Sequence, residues 1–495
     1  MRKLLLLLIT GLLFGCIGGD GELHGVTDRE VWYEPQPFGM AFIKMGSYNM
    51  GPNDQDVPWA MTAEAKTVSV PPFWMDITEI TNNEYRQFVY WVRDSLIYNR
   101  LIDDLDHEEY DFMKLNEWDE GTELPDDEFQ QSHAQSKFIN WDSRIPWDVE
   151  PIDEEDNKAI WDAIKSVYYQ GEERFYDRWE LDARKLNYVY YWIDLDQAAS
   201  IHDFGNQTRK AFDWDELYDK GNLEYDGQIT NYSKEKGKFN EYGKKLNIRD
   251  RSSYIMHDVV NVYPDTLCWI SDFTYSYNDP QTKMYFWHPA YDHYPVVGVT
   301  WKQATAFSIW RTNLKNHYLA SFGETFVQDF ELPTESQWEF AARGGLRESM
   351  YPWGGYYTTN PHGCYIANFK PMRGNYLADG GFYPVMVAIN DPNDYGLYDM
   401  AGNVAEWTSN AYDESAYSWT DDLSPDYHYN SLPNDLPEKK RKVIRGGSWK
   451  DIAYYLQCGT RTYEYEDTAK SYIGFRTVRA YLGRDINDSG ESQVY

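Results

Sequence analysis

Basic residues and cysteines are both scarce in this chain, and each shortage narrows its possible functions. Its 46 Lys and Arg stand against 80 Asp and Glu, which gives a formal net charge of −34 at pH 7. Such a surface repels nucleic acid and anionic lipid headgroups, so it favours cations or a basic protein as partners. The four cysteines form no Cys-x-x-Cys pair, which disfavours a zinc knuckle or a dithiol redox site.

The sequence also lacks long apolar runs beyond its start, and it lacks two common catalytic motifs. After residue 14 no apolar run approaches the about 20 residues that a membrane-spanning helix requires. A Gly-rich loop ending in Lys and Ser or Thr is missing, and so is a Gly-x-Ser-x-Gly motif. These absences disfavour a P-loop nucleotide-binding enzyme and an α/β-hydrolase.

The N-terminus has the pattern of a bacterial lipoprotein signal. Arg2 and Lys3 precede an apolar run at residues 4–14, and a small residue separates that run from Cys16. The pattern predicts a secretory signal peptide of residues 1–15 and a lipidated Cys16 at the new N-terminus. An ordinary signal with a coincidental cysteine is the alternative.

The residues after Cys16 favour the outer membrane, with the chain facing the periplasm. The residue after Cys16 is Ile17 and not an Asp. In this respect the chain resembles lipoproteins that are passed on to the outer membrane. Several acyl chains on one residue anchor stably, whereas a single chain does not. Residues 16–36, which are rich in glycine, are predicted to form a flexible tether.

Lipidation of Cys16 leaves three further cysteines, Cys268, Cys364 and Cys458. An odd number of cysteines in an oxidising compartment predicts either a free thiol or an intermolecular disulfide. The sequence does not decide which of the three is involved.

Two blocks have the pattern of a folded domain, and a long acidic stretch separates them. The blocks are residues 37–94 and 285–482, and residues 483–495 form a C-terminal tail. In the separating stretch, residues 95–284, the part from 103 to 156 holds 20 Asp and Glu against three basic residues. Its many aromatic residues argue against plain disorder, so we expect an insertion that makes contacts.

Local patterns within the two blocks predict individual elements. Residues 40–46 alternate like a strand that ends at a glycine, and residues 68–76 are predicted as a second strand. A capping-box pattern predicts a helix after Thr81. Thr334 is predicted to begin a further helix, which Gly344 ends.

Five collinear motifs resemble the formylglycine-generating-enzyme (sulfatase-modifying factor) family. They are Thr-Asn-Asn-Glu-Tyr at 81–85, Leu-Pro-Thr-Glu-Ser-Gln-Trp-Glu at 332–339, Gly-Asn-Val-Ala-Glu-Trp at 402–407, Arg-Gly-Gly-Ser-Trp at 445–449 and Gly-Phe-Arg at 474–476. The resemblance implies an α+β, irregular and loop-rich fold related to the C-type lectins. The stretch between the blocks would be an acidic, aromatic and partly helical insertion in that fold.

The resemblance also implies a lost active site. Enzymes of the family have catalytic cysteines three and eight residues after the motif serine, and here those positions are Asp451 and Leu456. Cys458 matches a strand cysteine outside the catalytic pair. A lone thiol cannot form a two-thiolate copper site, so we expect no copper and no oxidase activity.

Two calcium sites are implied by the resemblance as well. One set of ligands comprises Asn368, Phe369, Asp379 and a carbonyl near Gly381. The other comprises Asp399, the carbonyls of Gly402 and Val404, and Glu406. Carboxylate and carbonyl oxygens suit calcium, which would pin these loops. The alternative is that Asn368 and Asp399 only cap turns.

Two further motifs resemble one subgroup, the PorK/GldK-type lipoproteins of type IX secretion and gliding motility in Bacteroidetes. They are Trp-His-Pro-Ala-Tyr at 287–291 and Tyr-Pro-Val-Val-Gly-Val at 294–299. This resemblance implies a structural subunit of a large ring at the periplasmic face of the outer membrane. Its expected partners are neighbouring copies of itself, a PorN/GldN-type ring protein and an outer-membrane porin-like component.

Two other functions stay open at this point. An active formylglycine-forming or sulfoxide-forming oxidase is one, and Asp451 and Leu456 argue against it. The second is a surface lipoprotein that binds glycan or peptide, because the fold is related to the C-type lectins.

A basic run stands out in this acidic chain, at Lys439, Lys440, Arg441 and Lys442. One hypothesis is a docking patch for the acidic insertion of a neighbouring copy, in a head-to-tail contact that can close a ring. A solvated loop before the next strand is the alternative.

Overall fold

The computed structural model describes part of the chain: residues 33–52, 65–104, 113–115, 137–141, 143–147, 155–176, 178–193, 223–225, 246–248, 255–275, 279–375, 377, 380–431, 435–482 and 484–485. The predicted signal peptide and Cys16 lie outside these residues. Within the described part, no helix is both long enough and apolar enough to cross a membrane.

The described residues contain eighteen strands, most of them short, which are numbered in chain order. They are β1 Tyr33–Glu34, β2 Met40–Ile43, β3 Gly46–Met50, β4 Lys66–Val70, β5 Phe73–Asp76, β6 Met113–Leu115, β7 Lys137–Ile139, β8 Asn187–Ile193, β9 Leu223–Tyr225, β10 Leu246–Ile248, β11 Ile255–Asn261, β12 Phe330–Glu331, β13 Ala405–Ala411, β14 Arg441–Arg445, β15 Thr462–Tyr465, β16 Ile473–Gly474, β17 Val478–Ala480 and β18 Arg484–Asp485.

The helices are fewer and are mostly short. The α-helices are α1 Asn82–Asp104, α2 Glu155–Lys165, α3 Cys268–Asp272, α4 Pro280–Met284, α5 Trp301–Ser321, α6 Glu335–Arg343 and α7 Ala416–Trp419. Single 3₁₀ turns are Gly171–Glu173, Ala183–Lys185, Pro289–Tyr291, Pro437–Lys440 and Ala453–Leu456.

Two four-stranded sheets form the centre of the unit at residues 37–481. One is antiparallel, in the order β12-β17-β5-β2, and the other has the order β15-β14-β13-β16, with β16 parallel to β13. The remaining described strands pair in twos, including β3 with β4 and β8 with β11. The second unit, at residues 1–36 and 482–495, contains the parallel pair β1 and β18.

The predicted caps are present, because they depend on residues within a single turn. Thr81 donates its backbone N–H to the Glu84 carboxylate at 2.8 Å, and the Thr81 hydroxyl accepts from the Glu84 N–H. Thr334 accepts from the Gln337 N–H and begins α6, and Gly344 ends it with φ of 60°. These predictions are confirmed.

One predicted strand was wrong in its extent. The sequence predicted a single strand over residues 68–76, and the structure has β4 and β5 separated by Pro71 and Pro72. Proline has no N–H to donate to a ladder, so the strand is interrupted there. The helix α1 continues past the predicted block border at residue 94.

Aromatic rings fill the main core, which lies between α1, α5 and the β13 sheet. Tyr85 stacks on Phe307 with ring centroids 5.6 Å apart, and Phe88 meets Trp310 at 5.1 Å. Phe475 from the Gly-Phe-Arg motif closes the cluster against Phe307. Rings bury large apolar areas, so a chain with short strands and long loops still forms a stable core.

Candidate functional site

A tight turn follows strand β14, at the place where the family's motif predicts the active site. Gly446 and Gly447 both have positive φ, at 89° and 66°. A Cβ at Gly447 would lie 2.8 Å from the backbone of Tyr455, so the chain packs there with no room for a side chain. The turn therefore requires glycine for its geometry.

Asp451 holds this turn together. Its Oδ2 accepts hydrogen bonds from the Ser448 N–H at 3.0 Å and from the Ser448 hydroxyl at 2.5 Å. The Asp451 N–H donates to the Ser448 carbonyl at 2.9 Å. A carboxylate in this arrangement caps the turn, because its Oδ2 accepts hydrogen bonds from a residue of the same turn.

Leu456 lies in the apolar core. It is fully buried at the end of the Ala453–Leu456 turn, in a cluster with Met350, Tyr351 and Phe369. A leucine there presents no nucleophile and no metal ligand. The two positions that the resemblance assigns to catalytic cysteines thus hold a turn cap and a core side chain.

Cys458, two residues further on, is fully buried in another cluster with Trp338 and Met400. Burial raises the pKa of the Cys458 thiol to about 12, so it stays protonated at neutral pH. Cys268 is also buried, Cys364 is partly exposed, and none of the three described cysteines forms a disulfide within the chain. An intermolecular disulfide stays a prediction.

Aromatic side chains cover the neighbouring Trp449. Trp269, on helix α3 from the predicted insertion, stacks on Trp449 with ring centroids 6.1 Å apart. Phe273 and Tyr383 both approach the same ring at 5.3 Å. Asp272 accepts from the N–H and hydroxyl of Ser471 at 2.9 and 2.7 Å, which fixes α3 in place. Part of the predicted insertion is therefore packed onto the candidate site.

A buried ionic network connects helix α6 to the candidate site. The Arg445 guanidinium lies 3.0 Å from Glu335 and 2.6 Å from Glu339. Arg461 pairs with Glu335 at 2.5 Å, and Arg343 pairs with Glu339 at 2.6 Å. Burial acts to raise the pKa of Glu335, but Arg461 and Arg445 outweigh it and hold that pKa below its ordinary value.

A second buried cluster surrounds the predicted calcium ligand Glu406. Arg476 donates to both of its carboxylate oxygens, at distances from 2.6 to 2.9 Å. Trp338 donates its indole N–H to Oε2 at 2.7 Å. Each oxygen of Glu406 is thus engaged by a protein donor, and Arg476 already neutralises its charge.

The sequence reasoning missed Glu79, which belongs to the same region. Its carboxylate accepts from the Asn403 side chain at 2.7 Å and from the Val404 N–H at 3.1 Å. Burial, followed by the charges of Asp399 and Glu406, raises the pKa of Glu79 well above its ordinary value. The sequence signal for Glu79 was its position, two residues before the Thr81 that begins the Thr-Asn motif.

The other predicted calcium ligands also bond to protein groups. Asp399 has φ of 53° and accepts from the Ala388 N–H at 2.8 Å. Asn368 accepts from the Gly381 N–H at 3.1 Å and donates to the Tyr383 carbonyl at 3.0 Å. These contacts match the turn-cap alternative.

The two predicted ligand sets lie next to each other. A Cβ at Gly402 would be 2.5 Å from the Asn368 carbonyl, which also accepts from the Asn403 N–H at 2.8 Å. Phe369 and Val404 are buried nearby, and Asp379 lies outside the described residues. No three His, Cys, Asp or Glu among the described residues converge on one metal position. Calcium binding stays a prediction.

Asp399→Asn is expected to abolish any rise of the melting temperature that calcium gives the native chain. Asparagine keeps an acceptor for Ala388 and tolerates the positive φ, but it removes a carboxylate ligand. Thermal unfolding in calcium and in chelator measures the effect, with the exposed Asp394→Asn as the control. A native chain whose melting temperature is the same in both buffers contradicts the calcium prediction.

The basic run is not a continuous docking surface. Lys442 is only 1% exposed, its amino group lies 3.9 Å from the centroid of the Trp301 ring, and it donates to the Tyr429 carbonyl at 2.8 Å. Burial lowers the pKa of Lys442 to about 8. Docking through Lys442 was therefore wrong, because Lys442 is buried on an interior strand, between β15 and β13, where it packs on Trp301.

The other members of the run lie in the 3₁₀ turn before β14 or on the strand itself. Lys439 lies 4.0 Å from the Asp435 carboxylate and 5.2 Å from the Tyr429 ring centroid. Arg441 stacks over Tyr463 at 4.4 Å. Lys440 is in the same turn as Lys439. Docking through these three stays a prediction.

The family described as "Sulfatase-modifying factor enzyme 1-like domain" matches residues 31–150 and 227–481. The chain belongs to this family. The predicted α+β, loop-rich, formylglycine-generating-enzyme-like fold is confirmed by this match and by the mixed, loop-rich architecture. The residues between the two matched ranges lie within the predicted insertion.

Curated relatives of this sulfatase-modifying-factor family member include one named as an inactive enzyme and one named as a formylglycine-generating enzyme. It is 33% identical over 190 residues to the inactive C-alpha-formylglycine-generating enzyme 2 of Bos taurus, covering 37% of this chain and 49% of the relative. It is 32% identical over 196 residues to the formylglycine-generating enzyme of Mus musculus, covering 38% and 45%. The chain therefore spans about half the length of these relatives.

Among solved structures, PvdO from Pseudomonas aeruginosa aligns with 89% of this chain and 94% of its own, at 13% identity and a TM-score of 0.40.

Proposed function

We propose that this chain is a catalytically inactive member of the sulfatase-modifying-factor family. The observation that carries the proposal is the local structure of Asp451 and Leu456, the two positions that the resemblance assigns to catalytic cysteines. Asp451 caps a turn, and Leu456 packs in the apolar core. The two-thiolate copper site implied by the family needs two cysteines, whereas Cys458 is a single buried thiol whose pKa is raised.

The proposed role is that of a ring-forming lipoprotein subunit of the type IX secretion machinery, of the PorK/GldK type. Cys16 would carry the lipid anchor, so that the folded part faces the periplasm from the outer membrane. The main partner would be a PorN/GldN-type ring protein, with neighbouring copies and a porin-like component as further contacts. The net charge of −34 supports a basic partner, because opposite charges steer assembly.

The two subgroup motifs, at residues 287–291 and 294–299, support this role because they make structural hydrogen bonds. The Asn82 side chain donates to the Tyr291 carbonyl at 3.0 Å, and its N–H donates to the Tyr294 carbonyl at 2.9 Å. The Val296 N–H donates to the Ile80 carbonyl at 2.8 Å. Residues 287–299 therefore hold the start of α1 in place, which is a structural contribution to the fold.

Gentle detergent extraction of native membranes, followed by sizing and mass spectrometry, tests the proposed role. We expect a megadalton assembly that contains this chain and a basic periplasmic protein. A lone lipidated monomer would contradict the ring role and favour the ligand-binding lipoprotein. Conversion of a cysteine-containing sulfatase peptide to formylglycine by the purified chain would contradict inactivity.

Cys16→Ser is expected to abolish membrane anchoring, because serine has no thiol to acylate. After phase separation in a cloud-point detergent, the native chain should enter the detergent phase and the variant the aqueous phase. Cys364→Ser, at a partly exposed cysteine, is the matched control and should behave as the native chain does. Partitioning of the native chain into the aqueous phase would refute the lipidation.

A further inference from the structure

The connection between β13 and β14 begins with a segment whose charged residues are all acidic. It spans residues 413–426 and includes the short helix α7, and we call it the α7 segment. Its acidic residues are Asp413, Glu414, Asp421, Asp422 and Asp426, and it contains no Lys, Arg or His. Such a segment repels other acidic surfaces and attracts positively charged ones.

Buried contacts hold the α7 segment against the core. Tyr417 is buried, and its hydroxyl donates to the Glu335 carboxylate at 3.0 Å. Asp426 accepts from the Ser336 N–H at 3.0 Å and from the Asn410 side chain at 2.9 Å. A segment that is fixed in this way has little conformational freedom to lose when a partner binds.

Two large apolar side chains project from this anchored segment. Trp419 is 54% exposed and Leu423 is 90% exposed. The Trp419 ring packs edge-to-face on Tyr427, with ring centroids 5.0 Å apart, which fixes its position. A single exposed leucine is ordinary, but tryptophan is among the residues that most often supply the binding energy of an interface. Trp419 and Leu423 are therefore candidate anchors of a contact.

Exposed carboxylates border these two apolar side chains. Asp421 and Asp422 are exposed and lie between Trp419 and Leu423 in the chain. Because successive Cα atoms are about 3.8 Å apart, the two carboxylates and the two apolar side chains belong to one small surface. This surface combines apolar anchors with negative charge.

The cations that contact the α7 segment do not neutralise it. Lys66 donates to the Pro425 carbonyl at 3.4 Å, and it is one amino group against the five carboxylates of the segment. Arg445 and Arg461 also contact the segment, but both are ion-paired with the buried Glu335. The exposed side of the segment is therefore negative.

Charge decides which partner fits this surface. A protein with a net positive charge is attracted to the exposed Asp421 and Asp422. A second copy is disfavoured, because it carries the same net charge of −34. The basic run of a copy offers little compensation, since Lys439, Arg441 and Lys442 are engaged by groups of their own chain.

We propose that the α7 segment binds a basic protein partner of this chain, with Trp419 and Leu423 at the centre of the contact and Asp421 and Asp422 at its border. The inference rests on the proposed function for the existence of that partner and adds the surface that it contacts. Burial of the two apolar side chains supplies affinity, and the two carboxylates set the orientation and the rate of association.

Photocrosslinking identifies the protein that contacts this surface. A photoreactive phenylalanine analogue is incorporated in place of Leu423 in the native host, and in place of the 78% exposed Tyr357 as the control site. We expect a crosslink from position 423 alone to a separate protein whose sequence is net positive. A crosslink to another copy, a crosslink within the same chain, a crosslink to an acidic protein or no crosslink would each overturn the proposal.

A double variant measures the contribution of the apolar anchors. Trp419→Ser with Leu423→Ser should lower retention of the crosslinked partner in the detergent extract about tenfold or more. The matched control is Tyr357→Ser with Leu377→Ser, at two exposed positions outside the segment. Leu423→Ser alone separates binding from folding, because it should lower retention at an unchanged melting temperature. Full retention in the double variant would refute the anchors.

A second double variant tests the charges. Asp421→Asn with Asp422→Asn should lower retention of the partner roughly fivefold at low salt, and the difference from the native chain should shrink at high salt because salt screens exposed charges. The matched control is Asp391→Asn with Asp394→Asn, which removes two exposed carboxylates elsewhere. Equal losses in both variants would show an effect of net charge alone and would contradict the proposed surface.

The proposed surface and the proposed function fail in different ways. Extraction of the native chain as a monomer, with no crosslink from position 423, contradicts both. If the native chain is extracted in a large assembly with a basic partner, and the variants of the α7 segment retain that partner equally well, only the proposed surface is refuted.

Discussion

Replacing Arg445 by methionine should lower the free energy of unfolding by about 3–5 kcal/mol. Removing one partner of a buried ion pair leaves the other charge buried and unpaired. The guanidinium lies between Glu335 and Glu339 and also donates to the carbonyls of Cys458 and Thr460, each at 2.9 Å. Methionine fills part of the volume and supplies no donor. Two carboxylates and two carbonyls then lose a buried partner.

Denaturant titration followed by tryptophan fluorescence measures this loss. Arg347→Met is the matched control, since Arg347 is 89% exposed and its nearest carboxylate, on Glu348, is 3.9 Å away. An exposed substitution of this kind should change stability by at most about 0.5 kcal/mol. A loss for Arg445→Met no larger than that of the control would contradict the network's role.

The stability difference between the native chain and Arg445→Met should also depend on pH. The pKa of Glu335 is held below its ordinary value of 4.5, so its pairing stabilises the fold above that pH. The contribution is lost as the pH falls through the lowered pKa of the folded state. The stability difference between the native chain and Arg445→Met should therefore shrink below about pH 4.5.

Leu456→Ala should lower the free energy of unfolding by about 2–5 kcal/mol, as truncation of a buried leucine usually does. Leu456 is fully buried among Met350, Tyr351 and Phe369, so the lost methyl groups leave a cavity. Leu423→Ala is the matched control, because Leu423 is 90% exposed. The same titration measures both variants.

The loss of stability in Leu456→Ala tests whether position 456 has a packing role. A catalytic position is placed for access to a substrate, whereas a core position is placed for packing. A loss near zero for Leu456→Ala would mean that the position is open, which would weaken the case for an inactive enzyme. A loss of several kcal/mol would show that Leu456 has a packing role at the position that the resemblance assigns to a catalytic cysteine.

Local signals in the sequence predicted those features that depend on neighbouring residues. Thr81 and Glu84 are within one helical turn, so their capping box needs no tertiary information. Gly344 ends α6 for the same reason. The motif order predicted the fold class, because the family's buried caps and turns recur in the same sequence order.

Predictions failed where long-range packing decides. The basic run was interpreted as surface from its composition, yet Lys442 is buried against Trp301 and Tyr429. The Pro71–Pro72 pair interrupts a strand that apolar alternation alone would continue. The contact between Glu406 and Arg476, which comes from a distant segment, was not predicted, and the assignment of Glu406 to calcium stays a prediction.

Residue identity and order alone were enough to place the chain in its family and to show its acidic charge and the Asp451 and Leu456 that stand at the positions assigned to catalytic cysteines by resemblance. The burial of Leu456, the pairing of Arg445 and Arg476 with buried carboxylates and the exposed apolar face of β8 and β11 are features of the fold. The segments that make these contacts lie far apart along the chain. Burial, ion pairing and strand register depend on contacts between segments that no local pattern specifies.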